Sequence, residues 1–115
     1  MFNPQPKFEY LRSEKHLNVI RSLPCSNCGN PPRSQAAHSN MGIHGKGKGI
    51  KASDEFTIPL CHYCHRKYDS SDHRDSSEIF FMELIRCTAR LLNVTNRLSP
   101  DAKRLLIERG VLDGK

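Results

Sequence analysis

The sequence contains Cys25-Ser-Asn-Cys28 and, further along, Cys61-His-Tyr-Cys64-His65. Each C-x-x-C pair places two thiolates on one tight turn, and two such pairs supply the usual ligands of a tetrahedral structural zinc ion. A shared metal ion would close the intervening segment into a loop with fixed ends. The sequence therefore predicts that Cys25, Cys28, Cys61 and Cys64 bind one zinc ion.

The chain has 115 residues, of which 37% are hydrophobic. A single domain of this size and composition buries only a modest apolar core, so a bound metal ion would add needed stability. The sequence has no apolar run long enough to cross a membrane, and its first residues lack the features of a signal peptide. We therefore expect a cytoplasmic protein with no membrane partner, in which the paired cysteines bind metal rather than form disulfides.

The formal net charge of +6 is concentrated in one part of the chain. Residues 29–53 carry basic side chains, no Asp or Glu, and several glycines. A basic, glycine-rich loop predicts contacts with nucleic-acid phosphates, although a solvated flexible loop would have the same composition. Its spacing does not match a nucleotide triphosphate-binding loop. The candidate nucleic-acid-binding residues are Arg33, Lys46, Lys48 and Lys51.

Local patterns predict an α+β fold with short strands and flanking helices. Ser13 is a suitable N-cap for a first helix, which we expect to continue to Pro24. Strands are predicted around residues 35–38 and 56–60, and the second strand leads into a helix over about residues 63–70.

Two further helices are predicted in the C-terminal part. The first covers residues 77–93 and has a broad apolar stripe, which either packs on the N-terminal helix or forms a homodimer contact. Its Cys87 is expected to be a buried, unreactive thiol. The second helix has Ser99 as N-cap and Pro100 at its first position, and it ends before Gly110.

Three stretches together resemble the HNH endonucleases of the ββα-metal (His-Me finger) class. They are Ala36-Ala-His38, the glycine- and lysine-rich loop up to Asp54, and the run from Pro59 to His65. More narrowly, they are similar to small HNH-type proteins of bacteriophages and prophages, including the YbcO-like group and recombination-associated nucleases. The resemblance implies a metal-dependent endonuclease that hydrolyses nucleic-acid phosphodiesters, with DNA as the expected partner.

The resemblance covers roughly residues 13–75 and implies the architecture of this part, whereas the flanking helices are predicted from local patterns. We expect an α+β fold in which a small zinc-stapled ββα-metal (HNH) core covers residues 13–75. An extended arm over residues 1–12 precedes this core. The C-terminal helices over residues 76–115 belong to the same domain, so the core is flanked by one N-terminal and two C-terminal helices.

The functional residues of such nucleases can be carried over to matching positions. The histidine that closes the first strand is their general base, and His38 occupies this position. The histidine after the last cysteine binds the catalytic divalent metal, which corresponds to His65, and a further ligand one helical turn later corresponds to Asp69. An imidazole suits proton transfer near neutral pH, while the metal stabilises charge on the phosphate. These ligands suit Mg²⁺, Mn²⁺, Ni²⁺ or Zn²⁺.

Two positions depart from the family's pattern. The acidic or histidine ligand often found before the base is replaced by Ala37, and the asparagine often found five residues before Cys61 is replaced by Phe56. Asp54 is the nearest acidic residue that can replace a missing ligand or orient His38.

The same residues also have structural interpretations. His38 can be a hydrogen-bonded structural histidine, His65 can replace a cysteine in the zinc site, and Asp69 can be an ordinary polar helix residue. The alternative function is therefore a non-catalytic, zinc-ribbon-like DNA- or RNA-binding module. Three of the other histidines are expected to be bystanders, phosphate contacts or residues at the rim of the site: His44, His62 and His73.

Overall fold

The computed structural model describes residues 8–29, 34–69 and 74–114. It has one helix before a pair of strands and three helices after them, so the predicted α+β class is confirmed. Two short 3₁₀ turns lie between the strands. The elements are α1 (Glu14–Arg21), β1 (Gln35–His38), the turns Gly42–His44 and Asp54–Phe56, β2 (Thr57–Leu60), α2 (His62–Asp69), α3 (Arg74–Val94) and α4 (Pro100–Glu108).

Strands β1 and β2 pair antiparallel, with Ala37 opposite Ile58 and His38 opposite Thr57. Because successive side chains of a strand point to opposite faces, Ala37 and Ile58 share one face. This face packs against α2 and α3 in the largest buried cluster, which also includes Phe81 of α3. The other face carries Ala36, which packs against the cluster that contains residues of α1.

Helix α1 begins as the sequence predicts, because the Ser13 hydroxyl accepts a hydrogen bond from the His16 amide at 3.1 Å. The helix ends at Arg21, earlier than the predicted end next to Pro24. Leu23 follows in a turn and still reaches the core, where it packs with Ile20 and with Leu92 of α3. Helix α1 is thereby attached to both the sheet and the C-terminal helices.

Helix α3 begins at Arg74, so it is longer than predicted and its start lies before the expected boundary at residue 76. It packs within its own chain along one face, through Phe81, Ile85 and Ala89. The prediction that Cys87 is buried is wrong, because its side chain is exposed on α3.

Helix α4 has the predicted cap, since the Ser99 hydroxyl accepts a hydrogen bond from the Ala102 amide at 3.2 Å and Pro100 occupies the first turn. Its buried residues Ala102, Leu105 and Leu106 face the rest of the chain. None of the helices in the described part combines the length and apolar composition needed to cross a membrane.

The described part of the N-terminal arm, from residue 8, lies against the glycine-rich loop. The Tyr10 hydroxyl donates a hydrogen bond to the Gly45 carbonyl at 2.6 Å, and the Leu11 amide donates one to the Ser53 hydroxyl at 2.7 Å. Gly45 has a φ of 93°, and a Cβ at this position would lie 2.6 Å from the Phe8 ring. A glycine is therefore required where the arm crosses the loop.

Two buried histidines have lowered pKa values. His16 lies on the buried face of α1, and neither of its ring nitrogens has a hydrogen-bond partner among the described residues. Burial lowers its pKa below 6.5, although the charge of Asp54 opposes this. Burial, and to a smaller extent the positive charge of Arg109, lowers the pKa of His44 to about 4. Both rings are therefore neutral in the folded protein near neutral pH.

These lowered pKa values predict acid instability. As the pH falls below about 6.5, the unfolded chain binds protons before the folded chain does, so the free energy of unfolding decreases by up to about 1.4 kcal/mol per pH unit for each histidine. We expect this decrease to be shallower in His16→Leu than in the unsubstituted protein. Denaturant unfolding at a series of pH values measures it.

The exposed His62 provides the matched control, and His62→Gln should retain the full pH dependence. An unchanged pH dependence in His16→Leu would show that His16 does not titrate differently in the folded and unfolded states.

Candidate metal centre and polar cleft

The four paired cysteines come together in the structure although they come from distant parts of the sequence. Their Sγ atoms all lie within 4.8 Å of one another, and the Sγ atoms of Cys28 and Cys61 are 3.8 Å apart. Four sulfurs around a tetrahedral zinc, each about 2.3 Å from the metal, are separated by about 3.8 Å. The donor set and its spacing therefore fit a structural metal ion such as zinc.

The electrostatics of the cluster also favour a bound cation. Burial tends to raise the pKa of Cys25, but hydrogen bonds from the backbone at Cys61, Cys28 and Asn27 lower it to about 6. The Asn27 amide lowers the pKa of Cys64, yet burial and the neighbouring sulfurs together raise it to about 12. Four negative thiolates at this distance repel one another, so a divalent cation is needed to keep all of them deprotonated.

A second polar group forms where β1 ends. The His38 Nε2 atom lies 2.8 Å from Asp54 Oδ1, and Asp54 is buried. Asp54 also accepts hydrogen bonds from the Ser13 amide at 2.7 Å and from the Arg12 guanidinium at 3.2 Å. Because a carboxylate only accepts, Nε2 of His38 carries the proton, and Nδ1 is the nitrogen without a proton in the neutral ring.

Asp54 remains ionised despite its burial. Burial alone would raise its pKa, but the hydrogen bonds from His38, Ser13 and Arg12 together with the charge of His38 lower it below 3.8. The ionised carboxylate therefore holds the imidazole in one orientation, with the proton on Nε2.

The His38–Asp54 pair lies in an open cleft of about 600 Å³. One wall comes from the start of α1 and the residues before it, and the other comes from the glycine-rich loop. Arg12 connects the two walls by donating hydrogen bonds to the Lys51 and Ala52 carbonyls, each at 2.6 Å. The residues that line the cleft are Arg12, Ser13, Glu14, Leu17, His38, Gly49, Ile50, Lys51 and Asp54.

A third polar group lies between α2 and the start of β1. The His65 Nδ1 atom lies 2.6 Å from Gln35 Oε1, and His65 Nε2 lies 3.4 Å from Asp69 Oδ2. The amide carbonyl of Gln35 accepts the Nδ1 proton, so Nε2 faces the carboxylate without a proton in the neutral ring. A carbonyl partner of this kind orients the histidine ligands of many metal sites.

The structure brings the predicted site residues together as two separate pairs. His38 is joined to Asp54, and His65 is joined to Asp69. Among residues 8–29, 34–69 and 74–114, the only group of three or more His, Cys, Asp or Glu ligand atoms is the cysteine cluster. Asp54 therefore orients His38, and it does not join His65 and Asp69 in one cluster.

The two departures from the HNH pattern have a structural explanation. Ala37 is fully buried against the core, and Phe56 is only 1% exposed in the same cluster. A charged ligand at either position would lose its hydration in an apolar environment. His44 is also a core residue, because it is buried, stacks on Phe56 and hydrogen-bonds to Ser39 at 2.6 Å.

The predicted phosphate contacts differ in their positions. Lys51 lines the cleft that contains His38, and Lys46 and Lys48 are exposed on the same loop. Arg33 and His73 lie outside the described residues.

Two residues that organise the polar pairs, Arg12 and Gln35, were not predicted from the sequence. Gln35 immediately precedes the Ala36-Ala-His38 motif, and Arg12 immediately precedes the predicted N-cap Ser13. This adjacency is the sequence feature that could have identified both residues as candidates.

The hydrogen bonds of Asp54 make a stability prediction. Asp54→Ala leaves the Ser13 amide and Arg12 without their buried acceptor, so we expect the free energy of unfolding to decrease by about 1–3 kcal/mol. Asp69 is 56% exposed, and Asp69→Ala is the matched control, with an expected change within about 0.5 kcal/mol. Denaturant unfolding near neutral pH measures both, and equal effects would contradict the role of Asp54 as a buried acceptor.

Comparisons with known proteins place the chain in a family. A family model described as "Protein of unknown function (DUF968)" matches residues 1–81, which include all four clustered cysteines and both polar pairs. "Uncharacterized protein YdfU" of Escherichia coli (strain K12) is 33% identical over 75 residues, which cover 65% of this chain and 20% of that protein. The chain thus aligns with only a fifth of the length of this relative, and no solved structure matches it. The chain belongs to the DUF968 family.

Proposed function

We propose that the protein is a metal-dependent endonuclease that hydrolyses nucleic-acid phosphodiesters, with DNA as the expected substrate. The observation that best supports this function is the His38–Asp54 pair, at 2.8 Å, in a cleft also lined by Arg12 and Lys51. A base held by a buried carboxylate beside two cations suits attack on a phosphate. The resemblance to HNH endonucleases supports the same reaction and gives His38 the same role.

In this mechanism, His38 is the general base. Its Nδ1 takes a proton from water while Asp54 holds Nε2–H and stabilises the imidazolium that forms. The resulting hydroxide attacks phosphorus, a bridging P–O bond breaks, and the departing oxygen takes a proton from solvent. Lys51 and Arg12 provide positive charge near the phosphate, while Arg12 also keeps Asp54 in place.

We further propose that the four cysteines bind zinc and that its role is structural. Zinc with four thiolate ligands has no open position for substrate, which is typical of structural sites. Because the two pairs lie on different turns and their sulfur atoms form one cluster, a bound metal ion would fix the start of α2 relative to the first cysteine turn.

A separate catalytic metal is proposed at His65 and Asp69. These residues offer one imidazole and one carboxylate, and Gln35 orients the imidazole with its free Nε2 toward Asp69. Two protein ligands leave positions for water and phosphate oxygen, as is usual for Mg²⁺ and suitable for Mn²⁺, Ni²⁺ or Zn²⁺. Such a metal ion would supply positive charge to a bound phosphate, although β1 directs His38 and Gln35, the partner of His65, to opposite faces of the strand pair.

Plasmid cleavage tests the nuclease. We expect the zinc-loaded protein to nick or linearise plasmid DNA when Mg²⁺, Mn²⁺ or Ni²⁺ is added, and we expect His38→Ala to reduce the rate by about 10²–10⁴ because the base is lost. His65→Ala should raise the concentration of divalent metal needed. Lys103→Ala, which changes an exposed charge on α4, should leave the rate unchanged.

Retained zinc and an unchanged unfolding temperature would show that each variant is folded. Cleavage by folded His38→Ala at the rate of the unsubstituted protein would contradict the assignment of the base.

Thiol reactivity tests the structural zinc. Cys87 is exposed and lies outside the cluster, so we expect one thiol to react rapidly with a colorimetric reagent in the zinc-loaded protein. After removal of zinc by a chelator, all five cysteines should react. Cys87→Ser should retain about one zinc ion per chain, whereas Cys28→Ser should lose zinc and unfold more easily. Equal zinc contents and stabilities in the two variants would contradict a four-cysteine site.

The alternative function is a non-catalytic DNA- or RNA-binding module. It is favoured by the lack of a third ligand near His65 and Asp69 among the described residues. In this case the protein binds nucleic acid but does not cleave it under any metal condition. Exposed Lys46, Lys48 and Lys51 would contact phosphates. Neutralising each of them should reduce the slope of log affinity against log salt concentration by about one unit. The variant Lys103→Ala again provides the control.

A further inference from the structure

One face of α3 is exposed although the helix packs on its own chain along a neighbouring face. Phe80 is 50% exposed, Leu91 is 43% exposed and Val94 is 79% exposed. Cys87 is also exposed, and Leu84 is only partly buried. We call these five residues the apolar stripe of α3: Phe80, Leu84, Cys87, Leu91 and Val94.

The stripe has the spacing of a helix-pairing surface. From Phe80 to Val94, its members are four, three, four and three residues apart. This is the heptad repeat, which keeps a seam of apolar residues facing a second helix over several turns. The buried face of α3 already accounts for packing within the chain, so the exposed repeat calls for a separate partner.

We propose that the stripe is the interface of a homodimer in which two copies of α3 pack antiparallel, with the two-fold axis near Cys87. In this arrangement Phe80 faces Val94 of the second copy, and Leu84 faces Leu91 of the second copy. Each apolar contact therefore occurs twice, as a two-fold interface requires.

The charges beside the stripe are complementary to those of a second antiparallel copy. Glu83 and Arg90 immediately precede Leu84 and Leu91, so they border the stripe on the same edge. Like edges meet in an antiparallel pair, which places Glu83 opposite Arg90 of the second copy. Within its own chain Glu83 contacts Arg86 at 2.9 Å, and Arg90 of the second copy would extend this pair into a small network.

A parallel pair lacks this complementarity. There, the edge with Glu83 and Arg90 would meet the opposite edge of the second helix, which carries Phe81 and Thr88. Both of these residues are buried in their own chain. The charged edge would then have no available partner surface.

The shape of the surface also fits two copies. A groove of about 250 Å³ lies between α2 and α3 at one end of the stripe, lined in part by Phe80, Leu84 and Tyr68. The other end carries Val94, which is 79% exposed. Antiparallel pairing brings Val94 of the second copy over the groove, so apolar surface on both copies is removed from water.

Sedimentation equilibrium of the zinc-loaded protein in the micromolar range tests this interface. We expect a dimer, and we expect Leu91→Glu and Val94→Glu each to raise the dissociation constant by roughly tenfold or more, since a carboxylate would be buried in the seam. Ile79 is 67% exposed on the same helix but lies off the stripe, so Ile79→Glu is the matched control and should remain a dimer. A monomer in the unsubstituted protein, or a dimer unaffected by both stripe variants, would overturn the interface.

Charge exchange tests the antiparallel orientation. Glu83→Arg and Arg90→Glu should each weaken the dimer, because each places like charges opposite one another. The double variant should recover most of the affinity. Failure of the double variant to recover it would overturn the antiparallel arrangement. The substituted side chains belong neither to the cleft that contains His38 nor to the His65–Asp69 pair, so dimer formation is measured separately from nuclease activity.

Discussion

A cluster of four sulfur atoms joins two turns that are far apart in the sequence. Cys25 and Cys64 are buried in the same apolar cluster as Ile58 and Phe81, so the sulfur site is continuous with the hydrophobic core. A metal ion bound there fixes the turn before β1 and the start of α2 against each other. A chain with a modest core gains from such a constraint, because ligand binding adds directly to the free energy of folding.

Both polar pairs contact a residue of β1, so their geometry depends on how the cysteine cluster holds this strand against α2. The alternation of strand side chains sends Gln35 and Ala37 toward the α2 side and His38 toward the α1 side. Gln35 consequently contacts His65, whereas His38 contacts Asp54. Both histidines have a partner that fixes which nitrogen carries the proton. Thr57, which pairs with His38 across the two strands, is buried. His38 and Asp54 are therefore the polar side chains of this pair of strands and its preceding turn that reach the cleft.

Local signals in the sequence predicted much of the fold. The caps at Ser13 and Ser99 agree with the structure, because each depends on contacts between near neighbours. The predicted strand at residues 35–38 is also present, and its pattern was recognisable although it pairs with residues 57–60. The exposure of Cys87 could not be predicted, since a wide apolar stripe does not reveal which of its residues face the core. The end of α1 at Arg21 also depends on distant packing, which keeps Leu23 buried without a helical backbone.

In the candidate site, too, some residues were identifiable from local sequence and others depend on the folded chain. The cysteine spacing identified the sulfur cluster, whereas Asp54 was selected only as the nearest acidic residue to His38. His38 is indeed a partner of Asp54, but the other partners of this carboxylate, the Ser13 amide and Arg12, lie about 40 residues earlier in the chain. Arg12 and Gln35 have no distinctive motif, and their roles come from the return of the N-terminal arm over the loop and from the strand register. Such contacts exist only in the folded chain.

X-ray absorption at the zinc edge is the most direct test of a four-cysteine zinc site, because it reports the atoms bound to the metal. Four sulfur ligands at about 2.3 Å, with no nitrogen or oxygen, are expected for the zinc-loaded protein. This result would leave His65 free to act with Asp69. Three sulfurs and one nitrogen around the metal would rule out a four-cysteine site, since a histidine would then replace a cysteine in the structural site.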